Sequence, residues 1–300
     1  MEKIGNVKIN YEYYDESDTY SDGDIEDVLL NIVRNNDEYE KVIYNTDNFA
    51  IFYHLSKRRE FIIEPMNISS EEKVLEIGAG CGAITGALAA KAKYVHCVEL
   101  SKRRAMINAY KNCKRDNIEI FVGNYQKIKF VERYDVITLI GVFEYANLYY
   151  HTSNPFSDFL TDVWNKLKEG GRIYIAIENR LGAKYFAGCA EDHIGRTFEG
   201  IEGYNTSNIA RTFSFFEWRT LLQKNNIKKY KFYYPYPDYK FPETIYSDEF
   251  LPDKNTKFDI SSNYSSARRL LFDEDKFLNS LKMDEEFRIF SNSFLICLYK

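Results

Sequence analysis

The chain has 300 residues, 40 basic and 45 acidic, with a formal net charge of -5. That is long enough for one large domain or two smaller ones, and it lacks the basic surplus that nucleic-acid binding draws on, so no nucleic-acid partner is expected. Five cysteines at 81, 97, 113, 189 and 297 form no close pair and no metal-type spacing; with no run approaching the roughly twenty apolar residues of a membrane span and no signal-peptide pattern, the composition predicts a cytoplasmic protein with reduced thiols.

Residues 1–44 are rich in Tyr, Asp, Glu and Asn, with turn-like acidic patches at Asp15-Glu16-Ser17-Asp18 and Ser21-Asp22-Gly23-Asp24. They read as a weakly anchored extension or an oligomer contact, although residues 25–33 have helical periodicity. From Asp47, the apolar residues Phe49, Phe52, Tyr53 and Leu55 begin an amphipathic helix that runs toward Pro65.

Val74, Leu75 and Ile77 then read as a short buried strand, followed at once by Gly78, Gly80 and Gly82. Glycines at alternate positions let a ligand approach the backbone, and a helix predicted over 83–92 aims its N-terminal amides at the turn. About twenty residues on, Glu99 ends a second strand over 94–99, where a carboxylate can accept hydrogen bonds from both ribose hydroxyls of a nucleoside. Gly78-x-Gly80-x-x-Ala83 also satisfies the alanine-ended dinucleotide fingerprint, so spacing alone allows both NAD and S-adenosylmethionine. Further strands are predicted at 118–122, 134–140 and 172–177, and helices at 102–113 and 156–168, the last capped by Gly170-Gly171. This alternation predicts a parallel sheet covered by helices, with ligands at the carboxyl ends of the strands, where Gly78, Glu99, Asn124, Gly141 and Glu178 fall. Lys102, Arg103, Arg104, Lys111, Lys114 and Arg115 read as the solvated side of one helix.

The run Val74-Leu-Glu-Ile-Gly-Ala-Gly-Cys-Gly82, with Glu99 and Gly123-Asn124-Tyr125 after it in order, resembles the first motifs of class I S-adenosylmethionine-dependent methyltransferases over roughly residues 47–240. The resemblance implies an α/β, Rossmann-like seven-stranded sheet with helices on both faces, plus lid and cap insertions. The implied cofactor is S-adenosylmethionine, held by Glu76, Gly78, Ala79, Gly80, Gly82, Glu99, Leu100, Asn124, Tyr125 and Gly141. Gly78, Gly80 and Gly82 would pack on its methionine and ribose portion, and Asn124-Tyr125 would edge the adenine, although the family more often has an aspartate where Asn124 stands. The helix from Asp47 would cover the cofactor, with Tyr53, His54, Arg58 and Arg59 near its carboxylate. The final strand near residues 293–299 would insert antiparallel beside the fifth.

The segment from Glu178 to Tyr204 carries glycines at 188, 195, 200 and 203 among acids, an arginine and a histidine, a composition suited to a folding lid. With Arg211 to Trp218 and Tyr233 to Pro242, it resembles a bacterial methyltransferase subgroup found in surface-polysaccharide gene clusters, at times fused to glycosyltransferases. That implies a glycan or glycan-phosphate acceptor and glycosyltransferase partners. Tyr236, Tyr239 and Phe241 are candidates for stacking on sugars. A sugar hydroxyl needs a base, for which the candidate is His193, oriented by Asp192 or Glu191; a phosphate acceptor would instead be bound by His193 and Arg196. In the family that the chain resembles, this strand end lines the floor under the reactive methyl, which implies that Glu144 and Tyr145 face cofactor or substrate; no metal dependence is expected from the spacing of His and Asp. The domain division is an extension at 1–44, a core at 45–237 with the lid at 178–210, a cap at 238–290 packed through Leu270, Leu271, Phe277 and Leu281, and a final core strand at 291–300. A nicotinamide oxidoreductase, a methyltransferase acting on a small molecule or protein, and a non-catalytic cofactor-binding scaffold of glycan assembly are the alternatives.

Overall fold

The computed structural model describes residues 1–16, 21–205, 209–259, 268–281 and 285–300. Ser17 and Asp18 of the first acidic patch lie outside the described residues. The chain forms two compact units, residues 1–139 with 166–171, and residues 140–165 with 172–300.

In the first unit the apolar runs form parallel strands where the sequence places them: β3 at Lys73–Ile77, β4 at Tyr94–Glu99, β5 at Ile118–Val122 and β6 at Tyr134–Ile140. β4 lies between β5 and β3, and β3 pairs with β6. Val74, Leu75, Val95, Cys97, Ile118, Ile120, Val136 and Ile137 are all buried, as strands covered on both faces require. The helices between them, Thr85–Lys91 and Lys102–Lys111, begin after the glycine turn and after a Ser101 side chain that accepts from the Arg104 amide.

The N-terminal residues are integrated into this unit, against the expectation of a weakly anchored extension. β1 at Glu2–Ile4 and β2 at Val7–Asn10 form a hairpin through Gly5-Asn6, and β2 runs parallel to β5. The reason is apolar alternation too short to notice: Val7 and Ile9 are fully buried. The helix Ile25–Asn35 puts Leu29 and Val33 into one apolar cluster with Ile51, Leu55, Cys81 and Ile107. Burying a Leu such as Leu29 contributes about 2 kcal/mol, one of several such contributions that together hold the segment down.

In the second unit β7, β8 and β10 form an antiparallel set. β10 at Ser293–Tyr299 lies between β7, Leu167–Glu178, and β8, Tyr230–Tyr236, and β9 at Thr244–Ser247 extends it beside β8. The last strand therefore does insert antiparallel beside the fifth expected one. The six strands placed in the sequence are present and β8 completes the implied seven; among the described residues β1, β2 and β9 are additional. Gly170-Gly171 are not a helix cap: the helix Pro155–Asn165 ends earlier, and both glycines lie in the opening of β7, Gly170 at φ +75°. In the proposed cap, Leu278 and Leu281 are buried on or beside the helix Glu274–Ser280, whereas Leu270 and Leu271 precede it and are exposed.

Candidate functional site

The glycine turn is built by the strands that flank it. The amides of Gly78 and Ala79 both donate to the Val98 carbonyl at 2.9 Å, tying the turn to β4. Glu99, the last residue of β4, then accepts from the Gly80 amide at 2.7 Å through Oε2 and from the Ser101 amide at 2.9 Å through Oε1. Each carboxylate oxygen has a second lone pair, so Glu99 can hold the loop and still accept from ribose hydroxyls. Gly78, Gly80 and Gly82 all have positive φ, at +74°, +53° and +75°. Their roles differ. A Cβ on Gly80 would meet, among the described residues, only the Arg104 guanidinium at 3.6 Å, so backbone is open to a ligand there. A Cβ on Gly82 would stand 2.4 Å from Asn108 Oδ1. At Gly82 the missing side chain therefore makes room for Asn108 of a neighbouring helix.

The remaining first-unit candidates sort in the same way. Glu76 is buried and accepts from the Thr85 hydroxyl at 2.7 Å and from the Cys97 thiol at 3.4 Å; burial pushes its carboxyl up to about 7. It braces the turn from behind. Leu100 is half-buried directly after Glu99. Asn124 spends its side chain on the Gln126 amide at 2.9 Å, capping a short turn of helix that begins with Tyr125.

Arg104, expected on a solvated face, is missed by the sequence reading. Its side chain is only 11% exposed and lies 3.4 Å from Asp22 and 3.7 Å from Glu26. Asp22 also meets His54 Nε2 at 3.2 Å. His54 is buried, and the Arg59 guanidinium lies over the Tyr53 ring at 4.3 Å. The acidic N-terminal patch was the available signal, since acids near a buried arginine must neutralise it.

The second unit gathers residues 144, 178 and 193. Glu144 and Glu178 are fully buried. His193 Nε2 lies 3.2 Å from Glu178 Oε2 and 3.8 Å from Glu144 Oε1, and its Nδ1 lies 2.9 Å from the Tyr145 hydroxyl. Lys240 Nζ sits 2.5 Å from Glu178 Oε1 and 2.6 Å from Asp192 Oδ1. Burial alone would raise Glu178, but Lys240 and His193 overcome it and hold this carboxylate well below its usual range. Burial would likewise lower His193, yet Glu178, with Glu144 and Glu191, lifts it to about 9. Glu144 is pushed up to about 7 by burial, with His193 opposing. Neither oxygen of Glu144 has a hydrogen-bond partner.

The expected orientation of His193 by Asp192 or Glu191 is corrected here. Asp192 does not orient His193: it pairs with Lys184 at 2.8 Å, Lys240 and the Tyr185 hydroxyl at 2.5 Å, because two ammonium groups outcompete one ring for a carboxylate. Glu191 accepts from the backbone amides of His193 and Ile194 at 2.9 and 2.7 Å and so fixes the loop, leaving the ring to Glu178 and Tyr145. Arg196 points outward, 60% exposed, with Glu199 at 3.8 Å. The described part of the lid is also well anchored: Asn179 bonds the carbonyls of Ile289 and Ser291, and Ala183, Lys184, Tyr185 and Ala187 are buried. Tyr236, Tyr239 and Phe241 are buried rings and offer no face to a sugar. Gly141 packs under Tyr239, whose hydroxyl would be 2.8 Å from a Cβ there, with Glu144 Oε1 at 3.7 Å.

Strands following the order of Rossmann-like class I methyltransferases, and a glycine turn held by a strand-end acid, define the fold; the cofactor of that fold is S-adenosylmethionine, and the open Gly80 backbone and the spare lone pairs of Glu99 fit it. Residues 75–173 match a family described as Methyltransferase domain. The chain is 26% identical over 182 residues to the mitochondrial ubiquinone biosynthesis O-methyltransferase of Schizosaccharomyces pombe, a match covering 56% of this chain and 63% of that protein. It is 26% identical over 151 residues to ribosomal RNA small subunit methyltransferase A of Fusobacterium nucleatum, covering 50% and 54%. The chain thus spans little more than half the length of these curated relatives. Among solved structures, phosphoethanolamine N-methyltransferase 1 of Haemonchus contortus, in complex with phosphoethanolamine and S-adenosylhomocysteine, superposes with a TM-score of 0.50 at 14% identity over 92% of this chain and 48% of that one. Among the described residues no helix is long and apolar enough to cross a membrane.

Proposed function

We propose that this chain is an S-adenosylmethionine-dependent methyltransferase acting on an oxygen, a sugar hydroxyl or a phosphate, of a bacterial cell-surface glycan or its precursor. The observation that carries the methyl-transfer reading is the Gly80 amide held on Glu99 at the end of β4, which leaves open backbone beside a ribose-type acceptor. The methyltransferase-domain match over 75–173 supports it. The glycan acceptor, the glycosyltransferase partners, the cytoplasmic location and the absence of a nucleic-acid substrate rest on the resemblance of residues 178–242 and on the acidic composition.

When bound, S-adenosylmethionine supplies an electrophilic methyl group. The residues proposed to hold it are Gly78, Ala79, Gly80, Glu99, Leu100, Asn124 and Tyr125, with Glu76 bracing the turn through Thr85. The acceptor's proton is handled within the Glu144, Glu178 and His193 group rather than by a histidine oriented by Asp192, which is committed to lysines. His193 already carries a proton near neutrality, since Glu178 lifts it to about 9 despite burial.

The test is transfer of isotopically labelled methyl from S-adenosylmethionine into an envelope-glycan fraction, a lipid-linked sugar fraction and total RNA, with Glu99→Ala as the control. Label in a glycan fraction only with the intact protein is expected, and its release by phosphatase-type degradation separates phosphate from hydroxyl acceptors. Label confined to RNA would overturn the acceptor assignment while keeping the reaction. Absence of cofactor binding would overturn both.

A further inference from the structure

We propose that Glu144, Glu178 and His193 form a binding site for one divalent first-row transition-metal ion, through Oε1 of Glu144, Oε2 of Glu178 and Nε2 of His193. One ligand-type atom from each lies within 4.8 Å of the others, although the three are far apart in sequence. Donors about 2.0–2.2 Å from a common ion stand roughly 3–3.6 Å apart. From Nε2, Glu178 stands 3.2 Å away, inside that spacing, and Glu144 3.8 Å away, so that the carboxylate of Glu144 must move in by a few tenths of an ångström or more on binding.

Two further observations point to an ion. Glu144 is fully buried with both oxygens unbonded, a costly state for a carboxylate that a bound cation removes. The other ends of the ligands are already braced, as in metal sites, where outer partners orient the first set. The Tyr145 hydroxyl lies 2.9 Å from Nδ1, so an Nδ1–H donated to it leaves Nε2 as the metal-facing lone pair. Lys240 grips Oε1 of Glu178 and turns Oε2 toward the histidine. On binding, the Nε2 proton leaves to solvent and the ion takes its place between the carboxylates. One imidazole with two carboxylates suits zinc, manganese or ferrous iron better than the all-oxygen cations calcium and magnesium. Three protein ligands leave a position for an oxygen of another molecule, which the ion would polarise.

The site does not depend on the methyl-transfer reading, because metal binding is measured without a methyl donor. As the ligands are buried, the ion is supplied by both routes: zinc or cobalt in the expression medium, and cobalt titrated into chelator-treated full-length chain. The expected result is one ion per chain by elemental analysis, visible cobalt absorption bands, at least tenfold weaker binding in Glu144→Gln and His193→Ala, and a lesser weakening in Tyr145→Phe. Circular dichroism and melting identify which variants fold. A wild-type chain that holds no stoichiometric ion by either route overturns the site whatever the variants do. So does stoichiometric binding that persists unweakened in the folded variants.

Discussion

The glycine cradle of the first unit and the buried ionic group of the second solve opposite problems. Around Gly78, Gly80 and Gly82 the working groups are backbone amides, fixed by a single carboxylate at Glu99 and by positive φ values. Around Glu178 the working groups are side chains, and the charges of Glu178 and Asp192 are offset by Lys184, Lys240 and His193. A cradle of amides tolerates changes in the side chains around it and fails when a Cβ enters. An ionic group is indifferent to backbone freedom and fails when one charge is removed.

The sharpest break of this contrast is Lys240→Met. It removes the cation that Glu178 and Asp192 share, leaving only His193 beside the first and Lys184 beside the second, and a loss of about 3 kcal/mol in unfolding free energy is expected from denaturant titration. A loss under 1 kcal/mol would mean the cluster is hydrated and the contrast false. Next comes Glu76, whose folded value near 7 lies above its ordinary 4.5 because burial favours the neutral acid. A carboxyl raised on folding contributes stability below the unfolded value and loses it as pH climbs from about 4.5 to 7, here about 3 kcal/mol. Urea titrations at pH 5 and pH 8 should show Glu76→Gln with a flatter pH response than wild type; identical responses would remove the assignment.

Gly82→Ala is expected to cost about 2 kcal/mol, from a left-handed backbone and a Cβ driven into Asn108, with Gly80→Ala costing less stability but more cofactor affinity. Equal effects at the two positions would erase the division between a packing glycine and a ligand-facing one. Glu99→Gln weakens the charge-assisted bonds to the Gly80 and Ser101 amides and to ribose, so calorimetry should read cofactor affinity about tenfold lower or more, with melting less affected. The smallest effect belongs to Arg196→Ala. With its side chain 60% exposed, stability should stay within about 0.5 kcal/mol and methyl transfer near wild type. A large loss of turnover there would restore Arg196 to the site.

By itself, the sequence determined β3 to β6 and the cradle. Val74 to Gly82 and Glu99 lie within 26 positions, their apolar periods are unbroken, and a positive-φ turn after a buried strand is a local property of glycine. It also pointed to residues 144 and 193 as chemically active, but not to their partners. Only the tertiary structure decided that Glu178, not Asp192, holds His193, since choosing among Glu144, Glu178, Glu191 and Asp192 depends on where Lys184 and Lys240 arrive, and residue 240 comes from a different stretch of chain. It also decided that Arg104 is paired rather than solvated, that Tyr239 fills the core rather than greeting a sugar, and that Val7 and Ile9 add a strand to β5. Each of these outcomes follows from burial and charge pairing between residues distant in sequence, whose energies exist only once the chain has folded.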